Sequence, residues 1–126
     1  MNMKCKDANE IIPIIIVHRG ANSYLKYVIK QAEKSGNLVY LLGDDSNRHM
    51  CKNWYSIYDY SSEKLKIFQD SYVHMSSLDK QFELFCFERH FYIYEFAIRN
   101  GFDDIVMMDS DVMLYKKNVT QHFKWD

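Results

Sequence analysis

The run Ile11-Ile12-Pro13-Ile14-Ile15-Ile16-Val17 constrains the fold more than any other part of the chain. It is almost wholly β-branched and has no polar alternation, so as a strand it has no face to give to water. Strands of that kind belong to parallel sheets covered by helices on both sides. Pro13 cannot donate to a ladder and must lie near the start of the strand. After a loop at His18-Arg19-Gly20-Ala21, Asn22 or Ser23 can cap a helix with Leu25, Val28, Ile29 and Ala32 on one face and Lys26, Lys30 and Lys34 on another. Gly36 is placed to close it. Leu38 to Leu42 forms a second apolar strand, ended by Gly43-Asp44-Asp45-Ser46-Asn47. Strand, helix and strand in this order form a βαβ unit, and the expected class is α/β, a Rossmann-like, mainly parallel sheet with flanking helices.

The rest of the chain continues the alternation. Trp54 to Tyr58 is expected as a short third strand, and Ser61-Ser62-Glu63 as the start of a short helix through Phe68. Phe82 to Asn100 predicts a long helix ended by Asn100-Gly101, and Ile105 to Met108 a further buried strand. At 126 residues, without a linker, repeat or low-complexity tract, the chain is read as a single domain. Its 16 basic and 17 acidic residues leave a net charge of −1, which gives no electrostatic reason to expect a nucleic-acid partner. Cys5, Cys51 and Cys86 are odd in number and widely spaced, so they predict neither a disulfide framework nor a metal pair. Cys86 reads as a small core residue, and a reducing cytoplasm suits the set. No apolar run has the length of a transmembrane segment, and the polar start of the chain does not resemble a secretory signal.

The last predicted strand runs into Asp109-Ser110-Asp111. Eleven Asp in 126 residues supply about one Asp-x-Asp by chance, so the spacing alone carries no weight. Context supplies it: ligands of open α/β sheets bind beyond the carboxyl ends of the strands, where this pair falls. In extended backbone, residues i and i+2 project to one side, so Asp109 and Asp111 can face one ion. Hard carboxylate oxygens suit Mg²⁺ or Mn²⁺. The competing reading is a polar strand end that caps a helix or meets lysines.

Within the long helix, Phe82, Phe85, Cys86, Ile93, Phe96 and Ala97 recur at helical spacing, and Arg89 falls inside that stripe. A guanidinium there needs an anionic partner. A carboxylate of the same domain and the phosphates of a ligand both fit its planar fork. Glu88, Glu95 and Arg99 mark another face, with Glu95–Arg99 a surface pair, and His90 reads as a packed histidine.

Two upstream loops share the ligand side of the sheet. The first, His18 to Tyr24, holds Gly20, which permits close backbone approach, and Asn22, beside a helix N-terminus suited to phosphate. An ordinary βα loop with a helix cap reads equally well. In the second, Asp44 or Asp45 can accept from a ribose hydroxyl or a base N–H. Turn chemistry explains the same residues.

Taken in order, the Ile-rich strand, the Leu-Val-Tyr-Leu-Leu-Gly-Asp strand, the block Phe82-Glu83-Leu84-Phe85-Cys86-Phe87-Glu88-Arg89 with its helix, and Met107-Met108-Asp109-Ser110-Asp111-Val112 resemble the nucleotide-sugar-binding half of a GT-A type glycosyltransferase, of the bacterial lipopolysaccharide and capsule kind. The resemblance covers Ile11 to Tyr115. It implies a UDP-sugar-like donor, a Mn²⁺ or Mg²⁺ ion and a glycan or lipid-linked acceptor. A lipid-linked acceptor would bring a cytoplasmic protein into peripheral contact with the inner membrane face. Asp111 matches the stronger metal ligand, Asp109 the contact to ribose and metal, Arg89 a helix arginine near the diphosphate and sugar, and Asp44 or Asp45 the nucleoside-recognising acid. His18, Gly20 and Asn22 fall in the donor-side loop. Such enzymes are usually much longer, and their second half carries the acceptor contacts, a further metal ligand and any catalytic base. This chain ends fifteen residues after Asp111, so a truncated donor-binding domain is expected. His122, in the polar tail, is not assigned the missing ligand role.

Two other classes share parts of the pattern. Haloacid-dehalogenase-like phosphatases also follow an apolar strand with Asp-x-Asp, where Asp109 would be the nucleophile and Asp111 the acid/base. That motif normally opens its domain and leads into a Gly-Thr type turn, whereas here Val112-Met113 follow at the end. A non-catalytic remnant that binds nucleotide weakly or not at all is the third expectation.

Overall fold

The structure, a computed structural model, describes residues 11–116. The expectations for Cys5 and His122 concern positions outside the described residues.

Four strands form one all-parallel sheet in the order β3-β2-β1-β4, with β1 at Ile14–Val17, β2 at Val39–Gly43, β3 at Trp54–Ser56 and β4 at Val106–Met107. Ile14 pairs with Val39 on one side and with Val106 on the other, so β1 is the central strand from which the sheet grows in both directions. Ile14, Ile15 and Ile16 are wholly buried, as a run without polar alternation requires. Pro13 lies just before β1, where its carbonyl accepts from Val106 N–H at 3.0 Å.

Alternate residues of β1 feed two cores. Ile14 and Ile16 pack with Leu25, Val28, Ile29 and Ala32 of helix α1 (Ser23–Lys34). Ile15 and Val17 pack on the opposite face with Leu65 of α2 (Glu63–Ser71) and with Tyr92, Ile93 and Phe96 of α3 (Lys80–Arg99). The four apolar positions expected on α1 are its buried residues. Gly36 follows with φ +86°, the left-handed conformation that suits glycine after a helix end.

Several elements depart from the sequence reading. The turn-rich segment after β2 winds into a 3-10 helix, Asp45–Met50, capped by Asp44. The third strand stops at Ser56, whose hydroxyl caps a second 3-10 turn, Ile57–Tyr60. Helix α2 starts after Ser62, which accepts from Leu65 N–H at 3.1 Å, and extends to Ser71. Helix α3 begins two residues earlier than expected because Asp79 accepts from Phe82 N–H at 3.0 Å.

The stripe expected on α3 also divides in two. Its Ile93 and Phe96 enter the core, joined by Tyr92 from outside the stripe, whereas Phe82 is 61% exposed and Phe85, Cys86 and Arg89 line a cavity. Cys86 is therefore half-buried at that cavity rather than a core residue. Glu88, grouped by charge with Glu95 and Arg99, is only 4% exposed, and Gln69 of α2 donates to its Oε2 at 2.6 Å. His90 is exposed rather than packed, in a surface hollow shared with Lys64 of α2, Phe91 and Tyr94. Glu95 and Arg99 do form the surface pair, at 2.9 Å.

Candidate functional site

Strand order locates the site. From β1 the chain crosses through α1 to β2 on one side, while β4 returns on the other side of β1. In open parallel sheets such a reversal of direction leaves a crevice between the carboxyl ends of the two strands. A cavity of about 470 Å³ opens there, lined by Val17, His18, Arg19, Asn22 and Tyr24 after β1, Asp109, Ser110 and Asp111 after β4, and Phe82, Phe85, Cys86 and Arg89 of α3.

Asp109 and Asp111 are both exposed at this cavity. They do not continue an extended strand as expected. The chain turns at Ser110 and Asp111, and Val112 N–H donates to the Asp109 carbonyl at 3.3 Å. The ladder ends just before, with Met108 N–H donating to the Ile15 carbonyl, and an edge two residues long imposes no strand geometry beyond it. Among the described residues no group of three or more His, Cys, Asp or Glu side chains converges for a metal. Two exposed carboxylates fit an ion that takes its other oxygens from water and ligand phosphates, the usual habit of Mg²⁺.

Arg89 reaches across from α3 and donates through Nη1 to Asp109 Oδ1 at 3.0 Å. Its Nε donates to the Cys86 carbonyl at 3.4 Å. Of the two partners the sequence allowed, it meets the carboxylate while still facing the cavity.

His18 ties the first loop to the aspartate turn. Its Nδ1 lies 2.9 Å from Ser110 Oγ and its Nε2 2.8 Å from Asn22 Oδ1. In the neutral ring, Nε2–H donates to the Asn22 oxygen and Nδ1 accepts from the Ser110 hydroxyl. Asn22 was, with Ser23, one of two expected caps of α1. It occupies the N-cap position but makes no side-chain cap bond, because His18 claims its oxygen.

Gly20, Asp44 and Asp45 do not line the cavity. Gly20 has φ +97°, which excludes most side chains, and Asp44 Oδ2 accepts its N–H at 2.9 Å. Asp44 Oδ1 accepts from the Ser46 N–H at 3.1 Å and from the Ser46 hydroxyl. Partial burial pushes the Asp44 carboxyl up. The Ser46 hydroxyl and the N–H groups of Gly20, Ser46 and Asn47 together outweigh that and hold it below the ordinary carboxylate range. Asp44 thus pins one loop to another, and Asp45 is exposed in the first turn of the 3-10 helix.

Asn47 escaped the sequence reading. It is wholly buried, donates to the carbonyls of His18 and Gly20 at 3.0 Å each, and accepts from Trp54 Nε1 at 3.0 Å. Its room comes from Gly43, where a Cβ would stand 2.0 Å from Asn47 Oδ1. Arg19 was also missed. Its guanidinium lies over the Phe85 ring, 4.4 Å from the centroid, and Nη2 reaches the Tyr92 hydroxyl at 3.4 Å. Position in a βα loop was the only sequence signal for it.

Comparison with protein-family models, with curated proteins and with solved structures finds no match.

Proposed function

We propose that the chain is the donor-binding part of a glycosyltransferase that takes a nucleoside diphosphate sugar, a UDP-sugar first among them, with Mn²⁺ or Mg²⁺. The observation that carries this reading is the single cavity at the sheet's switch point, shared by two exposed carboxylates, two arginines and the exposed rings of Tyr24 and Phe82. Carboxylates offer the hard oxygens a divalent ion takes, arginines offer donors to phosphate, and aromatic faces offer a surface to a base or sugar ring. Asp109 and Asp111 would hold the ion, which supplies electrostatic stabilisation of charge on a departing nucleoside diphosphate. His18 and Ser110 hold the turn that presents those carboxylates. The acceptor is proposed as a glycan or a lipid-linked sugar. Among the described residues no helix is long and apolar enough to cross a membrane.

Thermal unfolding tests the reading. UDP with Mn²⁺ at about a hundred times the dissociation constant is expected to add roughly 2.7 kcal/mol of stability, a rise of several degrees, with much smaller rises from either alone. No rise with any nucleoside diphosphate at millimolar concentration, with metal present, overturns it.

A further inference from the structure

Of the two arginines at the cavity, only Arg89 has an anionic partner in the described structure. Arg19 forms no ion pair among the described residues, and its buried Nε has no hydrogen-bond acceptor. Its neighbours are the face of Phe85 and, at 3.4 Å, the Tyr92 hydroxyl. Glu88, the buried carboxylate on the same helix, is turned to Gln69 of α2. A guanidinium held against an aromatic face with an unused, buried N–H is poorly satisfied by the protein alone. Its fork suits two oxygens of one anion. The N-terminus of the twelve-residue helix α1 begins four residues further on, and its dipole favours an anion in the same loop.

We infer that Arg19 is the seat for the ligand's diphosphate, and that it works without the metal. The resemblance had given the diphosphate to Arg89, but Arg89 is engaged with Asp109. Arg19 comes from the loop after β1, its guanidinium rests on Phe85 of α3, and its Nε–H has no acceptor among the described residues. Only the identity of the anion as part of a nucleotide rests on the function proposed above. The geometry by itself calls for a phosphate or pyrophosphate group.

The probe is inorganic pyrophosphate in metal-free buffer, followed by calorimetry and by the guanidinium Nε–H resonances of the wild-type protein, assigned with Arg19→Lys. The Arg19 signal is expected to move on titration. Arg19→Gln is expected to weaken pyrophosphate binding by roughly ten- to a hundredfold, with Arg19→Lys in between. An Arg19 signal that stays still, or no pyrophosphate binding at millimolar concentration, overturns the inference even if Arg19→Gln fails to fold. UDP binding that is equal in wild type and a folded Arg19→Gln also overturns it, while leaving the nucleotide reading intact. Pyrophosphate binding that depends on Arg19, in a protein that ignores every nucleotide, upholds the inference and removes the nucleotide reading.

Discussion

Asn47→Ala should unfasten the first wall of the site from inside the fold. The side chain is wholly buried and makes three hydrogen bonds of 3.0 Å: two to the carbonyls of His18 and Gly20, one from Trp54 Nε1. A buried hydrogen bond contributes on the order of 1 kcal/mol net, and each polar partner left unsatisfied adds a similar or larger cost. Some of the freed groups will find water, so the loss is expected to be about 3 kcal/mol, a large share of the roughly 5–15 kcal/mol that holds a typical domain. For a chain of this size that lowers the midpoint by about 10 °C. Asn47→Asp should be worse, since it keeps the acceptor for Trp54 but turns a charge toward two carbonyl oxygens. Gly43→Ala should resemble Asn47→Ala, because the new methyl group would occupy the space of Asn47 Oδ1. Urea unfolding followed by tryptophan fluorescence measures all three, with Trp54 reporting locally. A loss below about 1 kcal/mol for Asn47→Ala, or Asp tolerated better than Ala, refutes the argued bonding.

Acid should act through Asp44. Its carboxyl is held below the ordinary range in the folded state, so its stabilisation is complete above the unfolded value of about 3.9 and is lost as pH falls through the lower folded value. Asp44→Asn is therefore expected to flatten the acid limb of the stability profile below about pH 5 and to lower stability at neutral pH; an unchanged acid limb in a pH series of urea melts counts against this. Arg89→Ala should free Asp109 from its 3.0 Å partner and remove a nearby positive charge. Because the Asp109 side chain is 60% exposed, the pair is worth on the order of 0.2–1 kcal/mol, and Mn²⁺ affinity without nucleotide should rise by roughly 1.4- to fivefold. Paramagnetic resonance of free Mn²⁺ measures this, and a fall in affinity contradicts it.

What the sequence disclosed depended on how local the cause was. Leu25, Val28, Ile29 and Ala32 recur with helical period, and the isoleucine run lacks a polar face, so α1, β1 and the parallel class were legible. Position 88 shows where periodicity stops: a glutamate set apart by charge from the apolar stripe is buried once Gln69 arrives from another helix. Asn22 looked like a cap because its neighbours are helical, and only the fold brings His18 back to take its oxygen. Asn47 carries no periodic signal, and its partners come from the loop after β1 and from β3. Of the candidate site residues, His18, Asn22, Arg89, Asp109 and Asp111 share the cavity, whereas Gly20, Asp44 and Asp45 do not. For Asp44 and Asp45 the reason is strand order, since their loop follows β2 and not β1 or β4, a fact no local pattern encodes; Gly20 is held to that loop by its N–H bond to Asp44.

The Asp109-Ser110-Asp111 turn is proposed to hold a divalent ion that in turn holds a nucleoside diphosphate. The decisive experiment is calorimetric titration of the protein with UDP, in Mn²⁺ and again in chelator, alongside Asp109→Asn and Asp111→Asn at matched folding. Tight binding is expected in Mn²⁺, with a large loss of affinity in chelator and a comparable loss in Mn²⁺ for each variant. UDP affinity that is indifferent to both metal and Asp111, or no binding at millimolar UDP with Mn²⁺ present, contradicts it.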